Sequence, residues 1–118
     1  MTGEKEQDWN IKWGAFDDET LDTHSRDASI FLVRPQVVVF PKNAEDVQRL
    51  VRFVSKHKQT YPELSITARG AGTDMSGGPL GESIILDMTR YMHGIVSLTD
   101  TEAILLPGTF HRDLEAET

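Results

Sequence analysis

The sequence predicts an α+β fold, in which a strand–helix–strand unit comes first, followed by a glycine-rich loop and several later strands. Three observations predict it. Val37-Val38-Val39-Phe40 is a continuous apolar run closed by Pro41, which suits a short strand buried on both faces of a parallel sheet. Val47, Leu50, Val51 and Val54 recur at i, i+3, i+4 and i+7, the apolar stripe of an amphipathic helix over 44–57. Leu64-Ser65-Ile66-Thr67-Ala68 alternates apolar and polar and reads as the second parallel strand. The unit from 37 to 68 matches the roughly 30 residues of a minimal βαβ crossover.

The remaining elements follow in order. Residues 1–10 are polar and acidic and predict a loose tail. Trp13, Phe16 and Leu21 stand among acids, with Asp17, Asp18 and Glu19 placed to open a short helix within 11–23. Ser25-Arg26-Asp27-Ala28-Ser29 reads as a turn. Asn43 is a good N-cap for the 44–57 helix. Lys56 and Lys58 suit its dipole, and Tyr61-Pro62 stops it. Ser83 to Asp87 reads as a strand, and Ile95–Leu98 with Ala103–Leu106 as a hairpin around Thr99-Asp100. Pro107-Gly108 breaks the chain, and residues 109–117 start a helix with Thr109 as cap and Phe110 and Leu114 on one face.

Bulk properties narrow the function. A chain of 118 residues is at most one domain. With 38% hydrophobic and 26% charged residues it has a globular composition. A net charge of −7 argues against a nucleic-acid partner. No cysteine is present, so thiolate zinc sites, iron–sulfur ligands and disulfides are excluded from this stretch. Lack of cysteine also fits a reducing cytoplasm. The N-terminus is not a signal peptide, and no apolar run is long enough to span a bilayer. His24, His57, His93 and His111 form no metal-ligand spacing, and no carboxylate pair or Ser-His-Asp set can be argued from position. His57 decorates a helix end, and His93 and His111 read as solvated.

The densest chemistry lies in Arg69-Gly70-Ala71-Gly72-Thr73-Asp74-Met75-Ser76-Gly77-Gly78, directly after the second strand. Four glycines and two hydroxyl side chains fall within these ten residues. Such a loop can turn several backbone N–H groups toward one anion, and a phosphate or pyrophosphate suits it. Spacing excludes two nucleotide motifs. G-x-G-x-x-G from Gly70 would need glycine where Met75 stands. A P-loop spanning Gly72 and Gly77 would need Lys and Ser/Thr where Gly78 and Pro79 stand.

Arg-Gly-x-Gly-Thr-x-x-Ser-Gly-Gly between two strands resembles the pyrophosphate loop of the FAD-binding domain shared by the vanillyl-alcohol oxidase and p-cresol methylhydroxylase superfamily (the PCMH type). The match extends to Arg26-Asp27-Ala28-Ser29, Arg34-Pro35, Val37 to Pro41, Asp46-Val47, Ile85 to Met88 and Pro107-Gly108, in order. It covers roughly residues 20–118 and looks most like the glycolate oxidase and D-lactate dehydrogenase branch. The family loop often has Gly at Ala71 and Ser at Asp74; the aspartate adds negative charge beside an anion.

The resemblance implies a βαβ first subdomain followed by the start of a largely antiparallel second one. It divides the chain into a tail or short helix over 1–20 and an incomplete, N-terminal part of a PCMH-type domain over 21–118. It implies FAD, held without a covalent link because the loop has neither His nor Cys, and a small 2-hydroxy acid as substrate of the intact enzyme. Its pyrophosphate would meet Gly70, Ala71, Gly72, Thr73, Asp74, Ser76, Gly77 and Gly78, mainly through backbone N–H groups. Arg69 is either a phosphate clamp or a structural partner of Asp74 or Asp87. Pro41 either marks the adenosine half or simply ends its strand. Pro107-Gly108 lies beside the flavin ring in the family and is otherwise a turn. No catalytic residue is assigned. The rival readings are the FAD- and NADPH-dependent peptidoglycan-precursor reductase, a non-catalytic anion- or nucleotide-binding module, and a partial domain prone to self-association. Peripheral membrane association of the parent enzyme stays open.

Overall fold

The computed structural model describes residues 14–117; the tail expected at 1–10, and Trp13, lie outside them. The elements are β1 (Gly14–Ala15), α1 (Asp18–Thr23), β2 (Val37–Val39), α2 (Ala44–His57), β3 (Ile66–Arg69), β4 (Ile84–Asp87), β5 (Ile95–Leu98), β6 (Ala103–Leu105) and α3 (His111–Glu117). Four strands form one sheet in the order β1-β2-β4-β3, and β5 pairs with β6 as a separate antiparallel hairpin. β2, β4 and β3 run parallel, while β1 joins the β2 edge antiparallel.

The βαβ unit therefore exists, but its two strands are not neighbours. β4 lies between them, in register Val38 to Ile85 and Thr67 to Ile85. Ser83–Asp87, read from the sequence only as a strand after the glycine loop, supplies the centre of the parallel sheet and not part of an antiparallel one. Ile84, Ile85 and Leu86 are consecutive, apolar and almost wholly buried, the same signature as β2 and the mark of a central parallel strand.

Side chains alternate between two layers. Val37, Val39, Ile84 and Leu86 face Leu50 and Leu64, with Val47, Phe53 and Val54 of α2 packed alongside. Val38, Phe40 and Ile85 face Leu21 of α1 on the other side. Val51 is half exposed and Phe53 replaces it in the buried stripe, because 50, 53, 54 and 57 centre on a slightly different helical face.

The caps explain the helix ends. Asp17 accepts from the amide of Thr20 and starts α1. Asn43 accepts from the amide of Asp46 at 3.1 Å and starts α2. α2 ends at His57, which packs on Phe53 at a ring separation of 4.4 Å, four residues before Tyr61. The hairpin turns at Thr99–Glu102, where the two residues exchange backbone and hydroxyl hydrogen bonds. Val96, Leu98 and Ile104 stand exposed on it. Thr109 does not cap α3. Its hydroxyl accepts from the Gly94 amide at 2.9 Å and sits against the Leu106 carbonyl, tying the hairpin base; the Phe110 carbonyl accepts the first α3 amides instead.

Candidate functional site

Three parallel strands end on one edge of the sheet, the edge where open α/β sheets bind ligands. Arg69 pairs with Asp87, and Val39 with Leu86. Extending that register by one or two residues brings Pro41, Met88 and Gly70 level with one another. Strand spacing then puts Pro41 and Gly70 about 10 Å apart, across β4. Pro107-Gly108 joins them. The Gly108 amide donates to the Met92 carbonyl at 2.8 Å, and a Cβ there would overlap the Met88 carbonyl oxygen. A Cβ on Gly70 would lie 3.9 Å from the Pro107 carbonyl oxygen. The sequence-predicted residues thus converge from β2, β3 and the segment after β6.

The glycine loop is anchored at both ends. At its start, the Met88 amide donates to the Arg69 carbonyl at 3.0 Å. At its end, Gly77 has φ of +83° and donates its amide to Asp27 at 3.0 Å. In the middle, Ala28 donates to the Asp74 carbonyl at 2.8 Å. Gly72 has φ of +72°, which disfavours side chains, and a Cβ there would also run into the Arg69 guanidinium. Among the described residues, no N–H from Ala71 to Ser76 donates to a protein acceptor. Thr73, Asp74, Met75 and Ser76 are exposed. The expected donor run is narrowed by one, because the Gly77 amide already serves Asp27. The Asp74 carboxylate lies against Gly78, where a Cβ would come within 2.8 Å of it.

Among the described residues Arg69 makes no direct bridge to a carboxylate, so the expected pairing with Asp74 or Asp87 is not a salt bridge. Arg69 is buried, and its guanidinium donates to the carbonyls of Arg26 at 2.7 Å and His24 at 3.5 Å. Burial lowers its basicity, opposed by the charges of Asp87, Asp27 and Asp74; a guanidinium still stays charged at neutral pH. Position alone could not reveal this, because both acceptors are backbone oxygens some forty residues upstream.

His24 is the residue that sequence reasoning missed. It follows α1 and is buried. Its Nε2 lies 2.7 Å from Asp87 Oδ2 and its Nδ1 2.8 Å from the Thr20 carbonyl oxygen. Burial pushes the Asp87 carboxyl up. Hydrogen bonds from His24 and from the Thr89 hydroxyl and amide, with the His24 charge, outweigh it and hold the carboxyl below its usual range. One ring nitrogen thus faces the Asp87 carboxylate and the other the Thr20 carbonyl oxygen, which fixes the ring at both ends. Every buried side-chain nitrogen and oxygen among the described residues has a partner.

Two cations at the same edge also went unread. Arg90 stacks on Phe40 at 3.7 Å from the ring centre, and Lys42 lies 5.6 Å from that of Tyr91. Pro41 is fully buried and stands two residues beyond the end of β2. Away from this edge, His93 is exposed beside a cleft of about 540 Å³ between β5 and α3. His111 pairs with Glu115 on the surface of α3.

FAD's pyrophosphate fits the loop on one observation: a run of amides without protein acceptors, in backbone fixed at both ends, above a buried cation. The groups free to donate to it would be backbone N–H groups and the Thr73 and Ser76 hydroxyls. Asp27 takes the Gly77 amide and the Asp74 carboxylate lies against Gly78, so the fit is poorest at that end of the loop.

Known proteins share both the sequence and the shape. The chain is 38% identical over 80 residues to D-2-hydroxyglutarate dehydrogenase of Escherichia coli, covering 68% of this chain and 8% of that protein. It is 30% identical over 88 residues to the mitochondrial D-lactate dehydrogenase [cytochrome] of Kluyveromyces lactis, covering 71% of this chain and 14% of that one. The chain spans well under two thirds of the relatives it matches. Among solved structures, p-cresol methylhydroxylase superposes with a TM-score of 0.77 at 17% identity, over 99% of this chain and 25% of that one. Alkyldihydroxyacetonephosphate synthase does so at 0.75 and 19%, over 98% and 24%. Residues 35–118 match the FAD binding domain family, and with the glycine loop at the carboxyl edge of a parallel sheet of that same shape, the chain belongs to that family.

Proposed function

We propose that this chain supplies the pyrophosphate-holding part of the FAD site in a flavin-dependent oxidoreductase acting on a small 2-hydroxy acid. The amides of Ala71 to Ser76 carry the reading, since they are donors left without protein acceptors at the edge where Pro41, Gly70 and Pro107-Gly108 converge. The substrate class is supported by relatives named D-2-hydroxyglutarate dehydrogenase, D-lactate dehydrogenase and glycolate oxidase subunit GlcD.

Bound flavin would supply the redox chemistry, accepting a hydride equivalent from the carbon that bears the hydroxyl. This chain's residues bind and orient. The Ala71–Ser76 amides and the Thr73 and Ser76 hydroxyls hold the pyrophosphate oxygens. Arg69 supports the loop from beneath. Gly108 lets the 107–108 turn sit close on the Met88–Met92 backbone. FAD is held non-covalently here, since residues 69–78 contain neither His nor Cys.

A titration of the chain with FAD, followed by flavin fluorescence, tests the reading, with AMP and pyrophosphate as competitors. Saturable binding that pyrophosphate relieves and that Gly72→Val abolishes is expected. Binding that persists in Gly72→Val would move the cofactor elsewhere. An intact parent protein that carries no flavin and ignores added FAD would end the proposal.

A further inference from the structure

We propose that His24 and Asp87 are positioning residues for the glycine loop, acting through Arg69; the effect on FAD rests on the reading above. Three ionisable side chains lie together on the α1 face of the sheet. His24 is 8% exposed, Asp87 7% and Arg69 8%. A buried ionic group is weak as a source of stability, because desolvation offsets its attraction. What it can do is fix geometry.

The connections form one path. The Thr20 carbonyl holds the His24 ring, which holds Asp87, whose other oxygen accepts from the Thr89 amide at 2.8 Å and hydroxyl at 2.7 Å. Asp87 is the cross-strand partner of Arg69. Arg69 reaches back to the carbonyls of His24 and Arg26. His24 is thus engaged twice, by its ring on Asp87 and by its backbone under Arg69. Gly72 packs directly on the guanidinium, so the left-handed turn that sets the loop's course rests on this cation.

The charges make the arrangement depend on Asp87. Asp87 is the carboxylate that the His24 ring bonds, and its charge also acts on Arg69 from the paired strand position. Replacing Asp87 with a neutral side chain removes the anion that faces the His24 ring and weakens the field that holds the guanidinium. The guanidinium then shifts, and Gly72 and the amides after it lose their support. The Val38, Phe40 and Ile85 layer beside them has no such dependence.

The test compares Asp87→Asn and His24→Gln with Leu50→Ala, a core truncation on the opposite face. The 118-residue chain is followed by thermal melting, by FAD titration below every melting point, and by ¹⁵N relaxation of the Ala71–Ser76 amides. Asp87→Asn and His24→Gln are expected to weaken FAD tenfold or more and to increase fast motion of those amides. Leu50→Ala is expected to lower the melting point at least as far and leave both readouts within twofold of wild type. If Asp87→Asn does not fold, Thr89→Val removes one bond to the same carboxylate and should weaken FAD about threefold. Wild-type affinity in every network variant that folds would overturn the positioning role while leaving FAD binding intact. If the wild-type chain itself does not take up FAD, the FAD reading passes to the intact parent protein and the amide motions alone decide here: increased motion supports the positioning role and unchanged motion overturns it.

Discussion

The two faces of the four-stranded sheet are built by different physics. The face under α2 is apolar throughout, with Val37, Val39, Ile84 and Leu86 against Leu50 and Leu64. The face under α1 begins in the same way, with Val38, Phe40 and Ile85 against Leu21. At the carboxyl edge it changes to His24, Asp87 and Arg69, all buried, with the His24 ring bonded to Asp87 and its backbone carbonyl to Arg69. An apolar layer tolerates small shifts, because burial is not directional. A buried polar network tolerates few, because each bond depends on distance and angle and each lost partner leaves a desolvated group. The first face supplies stability in bulk, and the second sets where one loop sits.

The largest expected effect tests the apolar side of that contrast. Leu50 is almost fully buried among six core residues. Leu50→Ala should cost about 2–5 kcal/mol, the range for truncating a packed leucine. The measurement is urea unfolding, with a lower midpoint and an unchanged m-value. FAD affinity measured on folded protein should stay within twofold. A tenfold loss of affinity at full folding would mean that the two faces are mechanically coupled.

Acid sharpens the polar side. Asp87 has its folded-state pKa lowered, so its contribution to stability is fully present above the unfolded carboxyl value, about 3.9. It is lost as pH falls from there through the folded value. Asp17 and Asp27 are lowered as well, by bonds to Thr20 in the first case, and in the second by bonds from Ser29 and Gly77 that outweigh desolvation. The difference between wild type and Asp87→Asn isolates the one carboxylate. Wild type should lose its advantage over the variant as pH drops below about 4. A constant difference from pH 6 to pH 2 would show that Asp87 carries no such linkage.

The apolar face was legible in the sequence and the polar one was not. Continuous runs and a 3.6-residue stripe are local signals, so β2 and α2 could be placed from residues 37 to 57. The glycine loop was legible because its backbone demands are written in residue type. Gly72 and Gly77 both take positive φ. The partners of Arg69 were not legible, since backbone carbonyls leave no mark in residue identity. His24 and Asp87 are 63 positions apart, and no periodicity links a residue after a short helix to the end of a central strand. The position of β4 between β2 and β3 was hidden for a related reason. A buried run predicts a central strand but not which strands flank it.

The smallest predicted effect lies where the two regions meet. Asn43 caps α2 by accepting from the Asp46 amide, while Asp46 accepts from the Lys42 amide at 2.9 Å. Asn43→Ala removes the first of these bonds and should cost about 1 kcal/mol, as N-cap truncations do. Lys42, however, follows Pro41 at the carboxyl edge of the sheet and lies over Tyr91. The remaining Asp46 bond to Lys42 should hold that backbone in place, so FAD affinity should change less than twofold while the urea midpoint falls. A larger loss of affinity would mean that the cap, and not β2 alone, sets the position of Pro41, and α2 would then belong to the cofactor edge as much as to the core.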